Sequence, residues 1–439
     1  MDKLHVNIIE RVKVAPWLPS PKAILQLSGL DNISRYFVSI LLVYDGVSAT
    51  VSAHPAKTIR EGLSKVLMYY SPFAGRLRKK ENGDLEVECN GEGVIFVEAM
   101  ADNDLSVLRD FNEYHPSIPH LVFTEPVDTD LEDLHLLSVQ VTSFTCGGFV
   151  VGINFYHTIC DGKGVGQFLK CMGEISKGDF NPSLEPIWNR EMVKPEDLLY
   201  LRYDHIELIS RPLKFEKNVH ASILVNIETI NYIKRCMMEE CKENFSTFKI
   251  LAALVWLART KSFQIPHSEN VKLIFDVDMT TSFNPPLPKG YYGTTIGIAG
   301  AIDNVKDLLS GSLLRALIII QKTIFSLNEN FKSRILMKPS TLDVNIKHEN
   351  VIVIADWRNL GFYEVDFGCG NAVNVSPVLQ QGEHESPVPS NFVFLQSPKN
   401  MPNGVKILMS MPASMVKPFK IEMKDIINKY VTRVHCSKL

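Results

Sequence analysis

The stretch from Gly147 to Gly162, GGFVVGINFYHTICDG, constrains the fold more than any other part of the chain. The segment 148–157 is rich in β-branched and aromatic residues and reads as a strand that delivers His157 to the edge of a sheet. Asp161-Gly162-Lys163-Gly164 then bends the backbone, and a helical pattern follows over about 164–177. An imidazole mounted in this way is held rigidly while its ring stays accessible. With an unperturbed pKa of about 6.5 it is largely neutral at cellular pH and able to accept a proton, which makes His157 a candidate general base. Asp161, four residues on, either orients the ring or fixes the turn. The same string also fits a structural histidine beside a turn-forming Asp-Gly.

The rest of the chain alternates strands and helices. Residues 6–14, 35–44, 84–89, 134–143 and 148–157 read as strands in the first half, with an amphipathic helix over 56–70 that places Ile59, Leu63, Val66, Leu67 and Tyr70 on one face. From about Gly178 to Glu216 the pattern weakens among scattered prolines. It restarts with a strand near 220–227, a helix near 228–243, and a helix with Ser246 as N-cap running through Ile250, Leu254 and Leu257. Strands near 271–278, 293–301, 351–355, 391–396 and 405–410, with helices at 303–327 and 415–430, complete it. The expectation is an α/β chain with an N-terminal domain over 1–190, a crossover over 191–216 and a C-terminal domain over 217–439.

At 439 residues the chain is long enough for two sizeable cores. Its 45% hydrophobic and 22% charged residues are those of a globular enzyme. A net charge of −3, with basic residues interspersed among acidic ones, argues against nucleic acid as a partner. Eight cysteines without CxxC spacing read as reduced thiols. No apolar run approaches the roughly 18 residues a membrane span needs, and the N-terminus lacks a signal-peptide pattern, so a cytoplasmic protein is expected. Ser437-Lys438-Leu439 matches a peroxisomal address and leaves that compartment open. Two metal-ligand types at His157 and Asp161 with no third nearby make a poor metal site, and none is expected.

A second punctuated segment, Glu364-Val365-Asp366-Phe367-Gly368-Cys369-Gly370-Asn371, carries two glycines between turn-favouring Asp366 and Asn371. Together with His157 to Gly162 it resembles the paired HxxxD-G and DFGWG signatures of the plant BAHD acyltransferases. Leu27-Ser28-Gly29-Leu30-Asp31-Asn32, Tyr69 to Leu77, Glu81 to Cys89, Glu185-Pro186-Ile187-Trp188-Asn189-Arg190 and Asn284 to Gly293 extend the likeness from end to end, closest to the taxane acetyl- and benzoyltransferases.

The resemblance implies two chloramphenicol-acetyltransferase-like halves of mixed sheet and helices, joined by a crossover with a solvent channel between them. It further implies an O-acyltransferase in which His157 takes the proton of a taxane hydroxyl as that oxygen attacks an acyl-CoA thioester. Acetyl-CoA is the favoured co-substrate; benzoyl-CoA, or another alcohol or amine acceptor, is the alternative, and a non-catalytic ligand-binding protein is the reading from another class. A monomer with no permanently bound cofactor is expected. Asp161 and Gly162 would support the catalytic loop, and Asp366, Phe367, Gly368, Cys369 and Gly370 would form a structural loop near the CoA entrance. Ser246, at a helix N-terminus that favours anions, is a candidate CoA contact. Three positions depart from the family pattern: Cys369 stands for a tryptophan, Thr280 for an arginine that pairs with the motif aspartate, and Thr294 for an asparagine. With Thr280 in place, either another cation meets Asp161 or water does.

Overall fold

The computed structural model describes residues 4–19, 22–45, 54–109, 115, 117–126, 128–197, 199, 218–334, 346–378, 390–399 and 401–436. Most of the expected crossover (198 and 200–216) and the tripeptide Ser437-Lys438-Leu439 lie outside them.

The first half contains eight strands, β1 (Val6–Val14), β2 (Ala23–Gln26), β3 (Phe37–Tyr44), β4 (Arg76–Lys79), β5 (Leu85–Cys89), β6 (Val94–Ala101), β7 (Leu137–Ser143) and β8 (Phe149–Tyr156). Helices α1 (Gly29–Ile33), α2 (Pro55–Val66), α3 (Ser106–Arg109) and α4 (Gly162–Ser176) are interleaved with them. The second half runs from β9 (Asn218–Asn226) through α5 (Ile227–Cys241), α6 (Thr247–Ser262), β10 (Asn270–Asp278), β11 (Ile296–Asn304), α7 (Val305–Ser310) and α8 (Ser312–Ser333). It continues with β12 (Val351–Asp356), β13 (Asn374–Pro377), β14 (Asn391–Gln396), β15 (Gly404–Pro412) and α9 (Ala413–Cys436).

Two six-stranded mixed sheets result, ordered β1-β6-β7-β8-β3-β13 and β11-β10-β12-β14-β15-β9, with a small β2-β5-β4 sheet beside the first. Each large sheet has its own apolar core. Helices α2 and α4 pack on the first sheet, and α6, apolar on nearly every side and buried with Trp256 at its centre, lies under the second. The α/β expectation with two sheet-and-helix units holds. Every residue of β8 is buried between β7 and β3, so whatever follows β8 is anchored to the stiffest part of the first unit.

Three differences from the sequence reading have physical reasons. The single helix expected over 303–327 is two, because Ser312 adopts a left-handed φ of +61° after Gly311 and breaks the hydrogen-bond ladder. The helix expected over 56–70 ends at Val66, and a short 3₁₀ turn, Ser71–Ala74, follows at Pro72. Strand β13, absent from the sequence reading, leaves the second half of the chain and adds to the first sheet at β3, pairing Asn374 with Val43 and Pro377 with Ile40. Four residues ending in proline carry no alternation to reveal a strand, and proline is tolerated there because β13 is an edge.

Candidate active site

His157 continues the β3–β8 ladder by one residue: its backbone N–H donates to the carbonyl of Tyr36 at 2.8 Å. The imidazole lies against the Tyr36 ring, centroids 5.0 Å apart, with Phe155 behind it at 5.9 Å. The ring is half-buried, not sealed. Burial pushes its pKa down to about 4, opposed by its own backbone carbonyl and by the charge of Asp31. The imidazole is therefore neutral at physiological pH. Its Nδ1 makes no hydrogen bond, so no carboxylate orients the ring, and packing against Tyr36 and Phe155 holds it instead.

Asp161 faces away from His157. It caps α4, one carboxylate oxygen accepting the N–H groups of Lys163 and Gly164, both at 3.0 Å. The other oxygen accepts the N–H of Thr295 at 3.1 Å and its hydroxyl at 3.4 Å. The carboxylate is 2% exposed; burial raises its pKa, and the N–H groups of Gly164 and Thr295 pull it back. Among the described residues no lysine or arginine side chain hydrogen-bonds it, and the expectation of a substituting cation or solvation is corrected: backbone N–H groups at the start of α4, with the N–H and hydroxyl of Thr295 from the second unit, satisfy the acid. Thr280, where the family pattern has arginine, hydrogen-bonds Asp278 and lies 3.0 Å from the Thr295 hydroxyl. Asp278 in turn pairs with Lys163 at 2.8 Å. The turn thus stitches the two units together.

A buried ion pair completes the frame. Arg190 and Asp31, with side chains 1% and 0% exposed, meet at 2.9 Å. The guanidinium also donates to the carbonyl of Ile159, inside the His157–Asp161 turn, at 2.7 Å, and to that of Trp188 at 2.8 Å. Its plane sits 3.8 Å from the Trp188 ring, with Tyr291 and Tyr292 near 5 Å. Asp31 accepts from the backbone and hydroxyl of Ser28, forming the capping box of α1, and from the N–H of Thr294. Sequence reasoning missed both as site residues, although each lies in a segment quoted above. The Ser28–Asp31 spacing is a capping signal legible in sequence; nothing in sequence pairs it with Arg190.

Close backbone approach explains the glycines of α4. A Cβ on Gly166 would fall 1.7 Å from the carbonyl oxygen of Leu360, and one on Gly164 would fall 2.2 Å from that of Tyr292. The segment leading to the 366–370 loop therefore lies directly along the helix that Asp161 caps. Gly166→Ala is expected to force these backbones apart and to destabilise by about 1–3 kcal/mol, the usual cost of overpacking. Thermal unfolding checks it, an unchanged melting temperature being the contrary result.

Farther along α4, Asp366 takes the N–H groups of Gly368 and Gly370 at 2.8 Å and pairs with Lys177 at 3.3 Å. Gly368 and Gly370 have φ of +98° and +87°, values that favour glycine. Phe367 is buried against Tyr44, and Cys369 is half-buried with its thiol pushed up to about 11 by burial. Lys177 follows the last turn of α4, so its pair with Asp366 ties the loop to the end of the helix remote from Asp161. Ser246 caps α6 by accepting the N–H of Lys249 at 3.3 Å, and none of its hydrogen bonds reaches the His157 turn. The structure thus gathers His157, Asp161 and Gly162 with Tyr36, Arg190 and Asp31, and leaves the 366–370 loop and Ser246 outside that group. Among the described residues no helix is long and apolar enough to cross a membrane, and the seven cysteines whose side chains are described are free.

Known proteins share both sequence and fold with this chain. It is 66% identical over 440 residues, covering 100% of both chains, to a 2-alpha-hydroxytaxane 2-O-benzoyltransferase of Taxus cuspidata. It is 58% identical, over 98% of this chain and 99% of the other, to a taxadien-5-alpha-ol O-acetyltransferase of Taxus chinensis. The crystal structure of vinorine synthase superposes with a TM-score of 0.73 at 18% identity, covering 96% of this chain and 98% of that one, a likeness of fold. A model of the Transferase family matches residues 4–426. With near-complete coverage by that model and relatives alike over almost their whole length, the chain belongs to the Transferase family, the BAHD acyltransferases.

Proposed function

We propose that the protein transfers an acyl group from a coenzyme A thioester to a hydroxyl of a taxane diterpenoid, with His157 as general base. The observation that carries this reading is a neutral, half-open imidazole at the seam of the two units, rigidly mounted against Tyr36 and Phe155. Both relatives named above, alike over nearly the whole chain, bear names that place them on taxane acceptors and differ in the acyl group transferred.

The acceptor hydroxyl gives its proton to the imidazole as its oxygen attacks the thioester carbonyl. The tetrahedral intermediate collapses with cleavage of the C–S bond, and the imidazolium returns the proton to the departing thiolate. A thioester is already activated, so no covalent nucleophile is required; positioning and one base supply the rate. Asp161 and Gly162 act at one remove, by fixing the start of α4. The 366–370 loop supports α4 from its far side and forms part of the CoA entrance. Ser246, at the N-terminus of α6, is proposed as a CoA contact, because free N–H groups there favour an anion. The protein works as a monomer.

Acetyl is the proposed acyl group. Benzoyl is the second reading, favoured by the higher identity to a 2-O-benzoyltransferase. Incubating the protein with acetyl-CoA and benzoyl-CoA against a set of partly deacylated taxanes, and following CoA release and product mass together, separates them. A taxane ester from one donor at least tenfold faster than from the other is the expected outcome. CoA release with no taxane ester would overturn the acceptor class.

A further inference from the structure

Among the described residues two aromatic rings touch the imidazole of His157, and they differ in exposure. Phe155, with centroids 5.9 Å apart, is 1% exposed and belongs to the core of the first unit. Tyr36, at 5.0 Å, is 53% exposed. Nδ1 of the imidazole is enclosed, so the half-open ring presents its Nε2 edge, and of its two aromatic neighbours only Tyr36 shares that open surface. The register explains the pairing: Phe37 of β3 lies across from Tyr156 of β8, so the next pair outward is Tyr36 and His157, on one face of the sheet. The backbone around Tyr36 is fixed. Its carbonyl accepts the His157 N–H at 2.8 Å, the carbonyl of Ser34 accepts the Thr158 hydroxyl at 3.0 Å, and the Arg35 guanidinium donates to the carbonyls of Asn32 at 2.7 Å and Gly83 at 2.9 Å. The phenol hydroxyl takes no part, having no hydrogen bond among the described residues.

The molecule that gives its proton to the base places its hydroxyl oxygen within hydrogen-bond reach of Nε2, roughly 2.6–3.2 Å, and the thioester carbonyl lies beyond that oxygen. The carbon skeleton nearest the two rings is therefore the acceptor's. An open aromatic face offers little to the amides and phosphates of a CoA donor. To a polycyclic hydrocarbon skeleton it offers apolar surface to cover, and because the ring is already held in place, little ordering is lost on binding. We propose that Tyr36 is a specificity-determining residue, its ring forming the platform on which the apolar skeleton of the acceptor rests while the reacting hydroxyl meets His157.

This inference rests on the acyl-transfer reading, and its test needs no turnover. Wild type, Tyr36→Phe, Tyr36→Leu and Tyr36→Ala are titrated at equilibrium with a taxane bearing a single hydroxyl, without acyl-CoA, and separately with CoA alone. Covering half of an aromatic side chain corresponds to roughly 10–50-fold in a dissociation constant. The taxane is expected to bind Tyr36→Ala more weakly by that factor and Tyr36→Leu more weakly by less. Tyr36→Phe should bind it nearly as wild type does, since the hydroxyl has no partner to lose. CoA should bind all four proteins alike, which also shows that the variants are folded. A merely structural role weakens both ligands together, and that result overturns the proposal. Taxane binding unchanged in Tyr36→Leu and Tyr36→Ala, or weakened in Tyr36→Phe as much as in Tyr36→Ala, overturns it too. Ring-dependent taxane binding with no taxane ester in the turnover assay counts against the acyl-transfer reading alone, and taxane binding indifferent to position 36 in an active enzyme counts against Tyr36 alone. A wild type that binds no taxane refutes both.

Discussion

Arg190→Met is expected to be the most destabilising single substitution at the site, lowering stability by about 3–5 kcal/mol, the range for removing one partner of a buried ion pair. Both side chains are almost fully buried. The substitution leaves Asp31 charged in the interior, holding only Ser28 and Thr294. It also strips the donors from the carbonyls of Ile159 and Trp188 and removes the cation from its aromatic surroundings. Activity is expected to fall beyond what loss of folded protein explains, because the Ile159 carbonyl belongs to the turn that carries His157. Arg190→Lys keeps the charge but not the planar fork, and should recover only part of the loss. Adding Asp31→Asn to Arg190→Met should restore some stability by removing the stranded charge. Denaturant unfolding of the four proteins measures this. A loss under 1 kcal/mol in Arg190→Met would show that the pair does not hold the turn.

His157→Ala has the largest expected effect on rate. Removing a positioned general base typically costs about 10²–10⁴-fold in turnover. Its effect on stability should be near the centre of the usual range for single substitutions, about 1 kcal/mol, since the half-buried ring leaves Nδ1 unpaired. The pH dependence has a definite sign. The folded pKa is pushed below the usual imidazole value to about 4, so the base is already neutral across the physiological range. Raising pH does not activate it; lowering pH through the folded value removes it. The kcat/KM of wild type, which reports the free enzyme, should stay level from neutrality down to about pH 5 and fall below that. An inflection near 6.5 would show a ring more solvated than the structure has it.

Much of the site was legible in the chain because its chemistry is local. Strand β8, His157, Asp161 and the glycine-rich start of α4 follow one another without interruption, and each carries its own signal: β-branched residues, an N-cap, a turn. Ser246 as the cap of α6 was legible for the same reason. What could not be read are contacts between distant segments. Asp31 and Arg190 look like an ordinary capping acid and a surface-type cation until the fold buries them together. The absence of arginine at Thr280 pointed to a missing partner for Asp161, whereas Thr295, which no motif marks, supplies two neutral donors. Strand β13 is invisible because its pairing with β3 spans most of the chain, and four residues hold no periodicity.

The most direct test of His157 as the proton acceptor is a single-turnover measurement with saturating acyl-CoA and taxane alcohol, quenched at short times and read for CoA thiol and ester together, in wild type and in a folded His157→Ala protein. Thiol and ester should appear in equal amounts and at one rate in wild type, with both slowed at least about 100-fold in the variant. Ester formation at the wild-type rate without the imidazole would contradict the mechanism outright.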